Sequence, residues 1–234
     1  MAQFQSEFSV NHVLAGLPED ECTRMAPLLK PVLTHLGDSL WEVGQATEWV
    51  FFPKQGVISL VLTSAAGVDV EVGMVGREGI VGSVEVLGQG RALIRAQVQM
   101  AGSGWRMDAN AFRAEFARGG TLQSVVLSFH AALAFQSAQS ALCNRLHTVE
   151  QRLARWLLMA SDRAGTREMQ LTHEFIATML GTRRAGVTVA AGMLREAGLI
   201  SYSRGLVSIL NWAGMEKTAC ECYEAIKRNF DSLT

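Results

Sequence analysis

Arg183 and Arg184 stand side by side after Gly181-Thr182 and before the small residues Ala185 and Gly186. Such a run could read a DNA duplex. A guanidinium can pair in two-pronged fashion with guanine O6 and N7, and the hydroxyls of Thr182 and Thr188 can bond phosphates or bases. Gly186 and Ala185 would let a helix sit close to the groove. Further along, Ser203-Arg204-Gly205 places another cation in a turn, within reach of backbone phosphate. Between residues 171 and 205 the arginines 183, 184, 195 and 204 face only Glu174 and Glu196. The competing reading is a charged, solvated helix end on a structural domain.

Other chemistry is weakly represented. The cysteines are Cys22, Cys143, Cys220 and Cys222, too few and too scattered for a disulfide framework. No paired CxxC or nearby His completes a zinc set in sequence, so they read as reduced thiols used as small hydrophobes, and no metal site is expected. His12, His35, His130, His147 and His173 occur singly. No GxSxG, P-loop, HExxH or dinucleotide fingerprint is present, so an enzyme is not expected.

The elements that must carry the arginines follow from periodicity. Thr172 to Leu180 reads as a short helix stopped by Gly181, and Thr182 offers an N-cap for a second helix to about Glu196. Two short helices joined by a Gly-containing turn match a helix-turn-helix. Ile200 to Tyr202 and Leu206 to Leu210, around Ser203-Arg204-Gly205, read as a hairpin wing. Ser161 to Gln170 reads as a polar connector and Val149 to Asp162 as a helix. Upstream, Thr121 to Arg145 lacks Gly and Pro and places Leu122, Val126, Phe129 and Leu133 at a/d spacing before the polar Gln136, Ser137 and Ser140. That pattern predicts one long helix whose stripe could be buried within the monomer or against a copy of itself; a helix this long joining two domains favours Leu122, Val126, Phe129, Leu133 and Gln136 as a dimer seam.

Residues from about 36 to 107 are cut by glycine into short apolar runs: 50–52, 57–63, 68–75, 79–86 and 92–100. These predict an antiparallel β-domain. Leu14 to Leu36 carries helical spacing, opened by Pro18 and the acids 19–21.

The chain of 234 residues is 49% hydrophobic and 18% charged, enough for packed cores and long enough for two domains. Its net charge of −1 divides unevenly: residues 1–147 hold 10 basic against 13 acidic side chains, and residues 148–234 hold 11 against 9. A mildly basic second half suggests useful DNA affinity only when two half-sites are engaged together. No apolar run of about 18 residues escapes polar interruption, and residues 1–8 show neither a basic nor an apolar leader segment. A cytoplasmic protein without a membrane partner is therefore expected.

A β-roll, a long central helix and a C-terminal winged helix together resemble the Crp/Fnr family of bacterial transcription regulators. The strongest local matches are Ile176-Ala177-Thr178-Met179-Leu180-Gly181-Thr182-Arg183-Arg184 and Met193-Leu194-Arg195-Glu196-Ala197-Gly198-Leu199-Ile200. The resemblance implies an α+β protein: an antiparallel jelly-roll sensor domain at 1–120, a dimerisation helix at 121–147 and a winged helix-turn-helix at 148–234. It further implies a homodimer, allosterically regulated, that binds a palindromic operator in double-stranded DNA and contacts RNA polymerase. Arg184 is followed by Ala185 where the familiar family pattern has Glu, and Val189 stands where a further Arg would be, so no operator sequence carries over.

The family's cyclic-nucleotide site corresponds to Gly79 through Ala92, with Gly82, Ser83, Arg91 and Ala92 as effector residues and Gln136 and Ser137 on the long helix beside the base. Ser83 occupies the place of the acidic residue that holds the ribose 2′-OH. Losing that charge-assisted bond, worth roughly 1.5–3 kcal/mol, argues against ordinary cyclic AMP. An iron–sulphur cluster of the family's type needs several N-terminal cysteines, and only Cys22 is there. The effector is therefore open. The alternative function is a small-molecule-binding module whose winged helix engages protein rather than DNA.

Overall fold

The computed structural model describes residues 8–233. Short helices α1 (His12–Ala15) and α2 (Glu19–Met25) and a 3₁₀ turn (Ala26–Leu28) lead into strands β1 (Lys30–Thr34), β2 (Ser39–Trp41), β3 (Trp49–Thr63) and β4 (Asp69–Val75). Helix α3 (Ser83–Leu87), strand β5 (Arg95–Asp108) and helix α4 (Ala109–Ala117) follow, before the long α5 (Thr121–Leu146) and α6 (Val149–Ala164). The remainder is β6 (Glu168–Gln170), α7 (His173–Leu180), α8 (Arg184–Glu196), β7 (Ile200–Ser203), β8 (Leu206–Ile209), α9 (Trp212–Thr218) and α10 (Cys222–Asp231).

Tertiary contacts divide the chain into two units. The first takes residues up to 60, 74–133 and 230 onward; the second takes 61–73 and 134–229. The division runs through α5.

The first unit holds β1, β2, β5 and most of β3, with β5 between β1 and β3 and also paired to β2, while most of β4 falls in the second. β5 meets both β1 and β2 antiparallel, with Lys30 opposite Arg106 and Thr34 opposite Gly102. Val50, Phe51, Phe52, Val98 and Met107 are fully buried between its layers. Phe129 of α5 closes over this core at Gly79, where a Cβ would come within 2.1 Å of the ring; no side chain fits there. The expected helix from Leu14 to Leu36 is replaced by α1, α2 and β1, because Pro27 and Pro31 interrupt its hydrogen bonding. The run 79–86 is a turn and a short helix instead of a strand: Gly82 adopts φ 85° and starts α3. The separate runs 50–52 and 57–63 are one strand.

In the second unit, α6 is fixed at its start by a capping box between Thr148 and Gln151. Thr172 caps α7 by accepting from the Phe175 amide, and Gly181 ends it in the left-handed region at φ 57°. The cap of α8 is Arg183, without a side-chain bond, so Thr182 is not the N-cap that the sequence suggests. Val187, Ala190, Ala191 and Leu194 of α8 are buried, as are Ile176, Met179 and Leu180 of α7. The wing has three strands, in the order β6-β8-β7, because residues 168–170 of the expected connector pair with β8. Arg204 and Gly205 both take positive φ, 50° and 80°, which makes a two-residue hairpin turn whose twist matches its strands.

Among the described residues, α5 alone is long and apolar enough to cross a membrane by length and composition, against the expectation that no such segment exists. Only 22% of its most apolar window is buried in the protomer.

Candidate nucleic-acid interface and sensor loop

Helix α8 presents two faces. Its inner face packs on α6 and α7, and its outer face exposes Arg184, Ala185, Thr188, Val189 and Met193. Arg183 and Arg184 project at its N-terminal end, the end that meets base edges in a helix-turn-helix. In the free protein the Arg184 guanidinium lies 3.8 Å from the Glu174 carboxylate, with both side chains at least 70% exposed. An ion pair that open to water holds the guanidinium only weakly.

Thr182 and Gly186 are half-buried, and the Gly186 Cα faces the Thr182 hydroxyl, so the turn and the first helical turn are in close contact. Thr188 donates its hydroxyl to the Arg184 carbonyl at 3.1 Å and stands 3.1 Å from His173 Nδ1. That hydroxyl is already engaged. The His173 ring stacks on Tyr202 of the wing, with centroids 4.3 Å apart, and Tyr202 donates to the Leu171 carbonyl. His173 thus links α8 to the wing, a role that no local spacing signals. Burial and the nearby Arg184 charge lower the His173 pKa, which favours the neutral imidazole in the stack. Ser203 and Arg204 are exposed at the wing tip. Deeper in the unit, the guanidinium of Arg152 in α6 donates to the Leu180 carbonyl, satisfying the end of α7.

Residues 151–218 match the family model of the Crp-like helix-turn-helix domain. The structure is similar to that of FixK2 from Bradyrhizobium japonicum, with a TM-score of 0.69 and 14% identity over 82% of this chain and 98% of that one. A Crp/Fnr family transcriptional regulator from Thermus thermophilus gives 0.66 and 18%, over 81% and 98%. The c-di-GMP responsive global regulator CLP of Xanthomonas campestris gives 0.62 and 12%, over 82% and 99%. The chain has the Crp/Fnr fold. A search of curated proteins finds no match.

The stretch from Gly79 to Ala92, where the resemblance places an effector, lies in the first unit. Ser83 opens α3 and is 1% exposed, with its hydroxyl 3.0 Å from His130 Nε2. The position that would hold a ribose is turned inward onto α5. Arg91 donates to the Gly44 carbonyl at 2.9 Å, and Ala92 is buried at the loop's end. In the second unit, Gln136 is buried and accepts from the Arg163 guanidinium, while Ser137 donates to the Val72 carbonyl at 2.8 Å. Both long-helix residues expected at the base are engaged within the protomer.

Burial holds the His130 imidazole down to about 4, against 6.5 in an unfolded chain. The fold therefore keeps it neutral, and this contribution to stability is complete above pH 6.5 and is lost as pH falls toward the folded value. Between pH 7 and pH 5 the loss should be about 2 kcal/mol. Denaturant unfolding of the parent and of His130→Gln at the two pH values checks this: the parent's stability should fall by that much more than the variant's.

The residues expected at the dimer seam also occupy the interior. Leu122, Val126, Phe129 and Gln136 are at most 1% exposed, and Leu133 is half-buried. They are spent on packing within the protomer. The opposite face of α5 exposes Leu127, Ala131, Ala134, Phe135, Ala138 and Leu142, spaced so that they share one side of the helix.

Proposed function

We propose that this chain is a homodimeric, sequence-specific DNA-binding transcription regulator, acting in the cytoplasm and not an enzyme. The observation that carries this reading is the exposure of Arg183 and Arg184 at the N-terminal end of α8 within the segment that matches the Crp-like domain. Each protomer inserts α8 into the major groove of one half of a palindromic operator. Arg184 reads a base pair, Arg183 positions the helix on phosphate, and Arg204 reaches phosphate from the wing. The exposed methyls of Ala185 and Val189 suit thymine methyl groups in place of a second arginine. Two protomers associate through the exposed face of α5. An effector in the β-roll, other than an ordinary cyclic nucleotide, shifts this dimer between arrangements that bind DNA differently, and the DNA-bound form contacts RNA polymerase.

Salt dependence tests the DNA reading. Arg183 and Arg204 of each protomer make four phosphate contacts per dimer, so the logarithm of affinity should fall with that of salt at a slope of about −4. Fluorescence anisotropy on a palindrome selected from a random duplex library measures it. A slope near zero, or no selected sequence, favours a winged helix that binds protein.

A further inference from the structure

Three of the four cysteines that look unrelated in sequence meet in the second unit. Cys143 and His147 lie one helical turn apart at the end of α5, and Cys220 and Cys222 flank Glu221 between α9 and α10. The Sγ atoms of Cys143 and Cys220 are 3.5 Å apart, and Cys222 Sγ is 3.6 Å from His147 Nδ1. All four potential ligand atoms fall within 4.8 Å of one another. The three cysteines are buried, and His147 is half-buried.

From this geometry we infer a structural metal site of the zinc class, in which Cys143, Cys220, Cys222 and His147 Nδ1 close a tetrahedron around one ion. A zinc–sulfur bond of about 2.3 Å sets a tetrahedral edge of about 3.8 Å, so the Cys143–Cys220 pair at 3.5 Å already stands near that spacing and no pair has to close by more than about 1 Å to take the ion. Three thiolates and an imidazole form a closed structural set for a borderline-soft cation, and hard cations such as magnesium prefer oxygen. An iron–sulphur cluster places its thiolates on separate irons, whereas these four atoms converge on a single point.

The surroundings fit a metal as well as the ligands do. His147 Nε2 lies 3.2 Å from Glu221 Oε1, the carboxylate–imidazole pairing that fixes a metal-binding histidine with its other nitrogen free to ligate. The Gln139 side-chain amide donates to Cys222 Sγ at 3.2 Å, as a thiolate would accept. Three thiolates around a divalent cation leave one net negative charge. Arg152 and Arg155 are buried, act electrostatically on Cys143, and each keep a buried Nε without a hydrogen-bond partner. The anionic metal centre supplies the counter-charge that such guanidiniums require. Its structural effect is to tie the end of α5 to the α9–α10 connection, at the break where α6 begins.

Metal analysis of the full-length protein purified under reductant with zinc present tests the site. One equivalent of zinc per chain is expected. After removal by a chelator, cobalt(II) should restore one equivalent with the intense ligand-field bands of tetrahedral coordination and a thiolate charge-transfer band. Cys220→Ser and Cys222→Ser should lose the metal, while Cys22→Ser, outside the cluster, should keep it. Glu221→Gln keeps all four ligands and should hold zinc about 10- to 100-fold more weakly against a chromophoric chelator. The site is overturned if the parent protein holds no stoichiometric zinc and the chelated chain leaves cobalt as the hydrated ion. It is equally overturned if the serine variants retain full metal, if an iron–sulphur chromophore is found, or if a Cys143–Cys220 disulfide forms in its place.

Discussion

Replacing Phe135 and Leu142 together by aspartate should convert the protein to monomers and lower its affinity for a palindromic operator by about 10²- to 10⁴-fold. The two residues are 37% and 42% exposed, so each turns a substantial apolar surface to solvent, and circular dichroism of the variant checks that the fold is kept. They stand on α5 with Leu127, Ala131, Ala134 and Ala138, a stripe whose small residues allow two helices to approach closely. Aspartates brought together across that seam repel one another in a desolvated setting. A monomer binds each half-site independently and loses the effective concentration that links the second binding event to the first. Sedimentation velocity and anisotropy check the two halves of the expectation, with affinity for a single half-site unchanged. A variant that stays dimeric places the interface elsewhere.

Arg184→Ala should weaken operator binding by about 1–3 kcal/mol per half-site, which is roughly 30-fold or more for the dimer. Its side chain is 70% exposed, and among the described residues its ion-pair partner is Glu174 at 3.8 Å, so thermal stability should move little. Arg184→Lys separates reading from attraction. Lysine keeps the charge but not the planar fork, so the salt slope should persist while discrimination at one base pair relaxes. Competition titrations against operators altered at single positions measure it. Equal affinity of all three forms for DNA would remove Arg184 from the interface.

The winged helix-turn-helix was legible because its information is local. Thr172, Gly181 and the buried spacing of Ile176, Met179, Val187 and Leu194 specify two helices and a turn, and Arg204-Gly205 specifies the wing. What failed has a physical reason in each case. Helix α5 is apolar on two faces, and periodicity cannot say which one the protomer keeps; Phe129 at Gly79 settles it for the inner face. Ile80, Val81, Val84 and Val86 look like a strand by side-chain type, but Gly82 at positive φ turns the backbone there. Ser83 stands where the resemblance places the ribose carboxylate, while its partner His130, 47 residues away, is supplied by the fold. The cluster of Cys143, His147, Cys220 and Cys222 joins segments more than 70 residues apart, which no spacing rule spans.

The most direct test of a dimer that reads two half-sites compares one selected palindrome with the same duplex after one half is scrambled. Measured by anisotropy at fixed salt, the scrambled duplex should bind about 10²-fold or more weakly, and inserting half a helical turn between the halves should cost as much. Equal affinity for the three duplexes would contradict a two-fold reader of DNA.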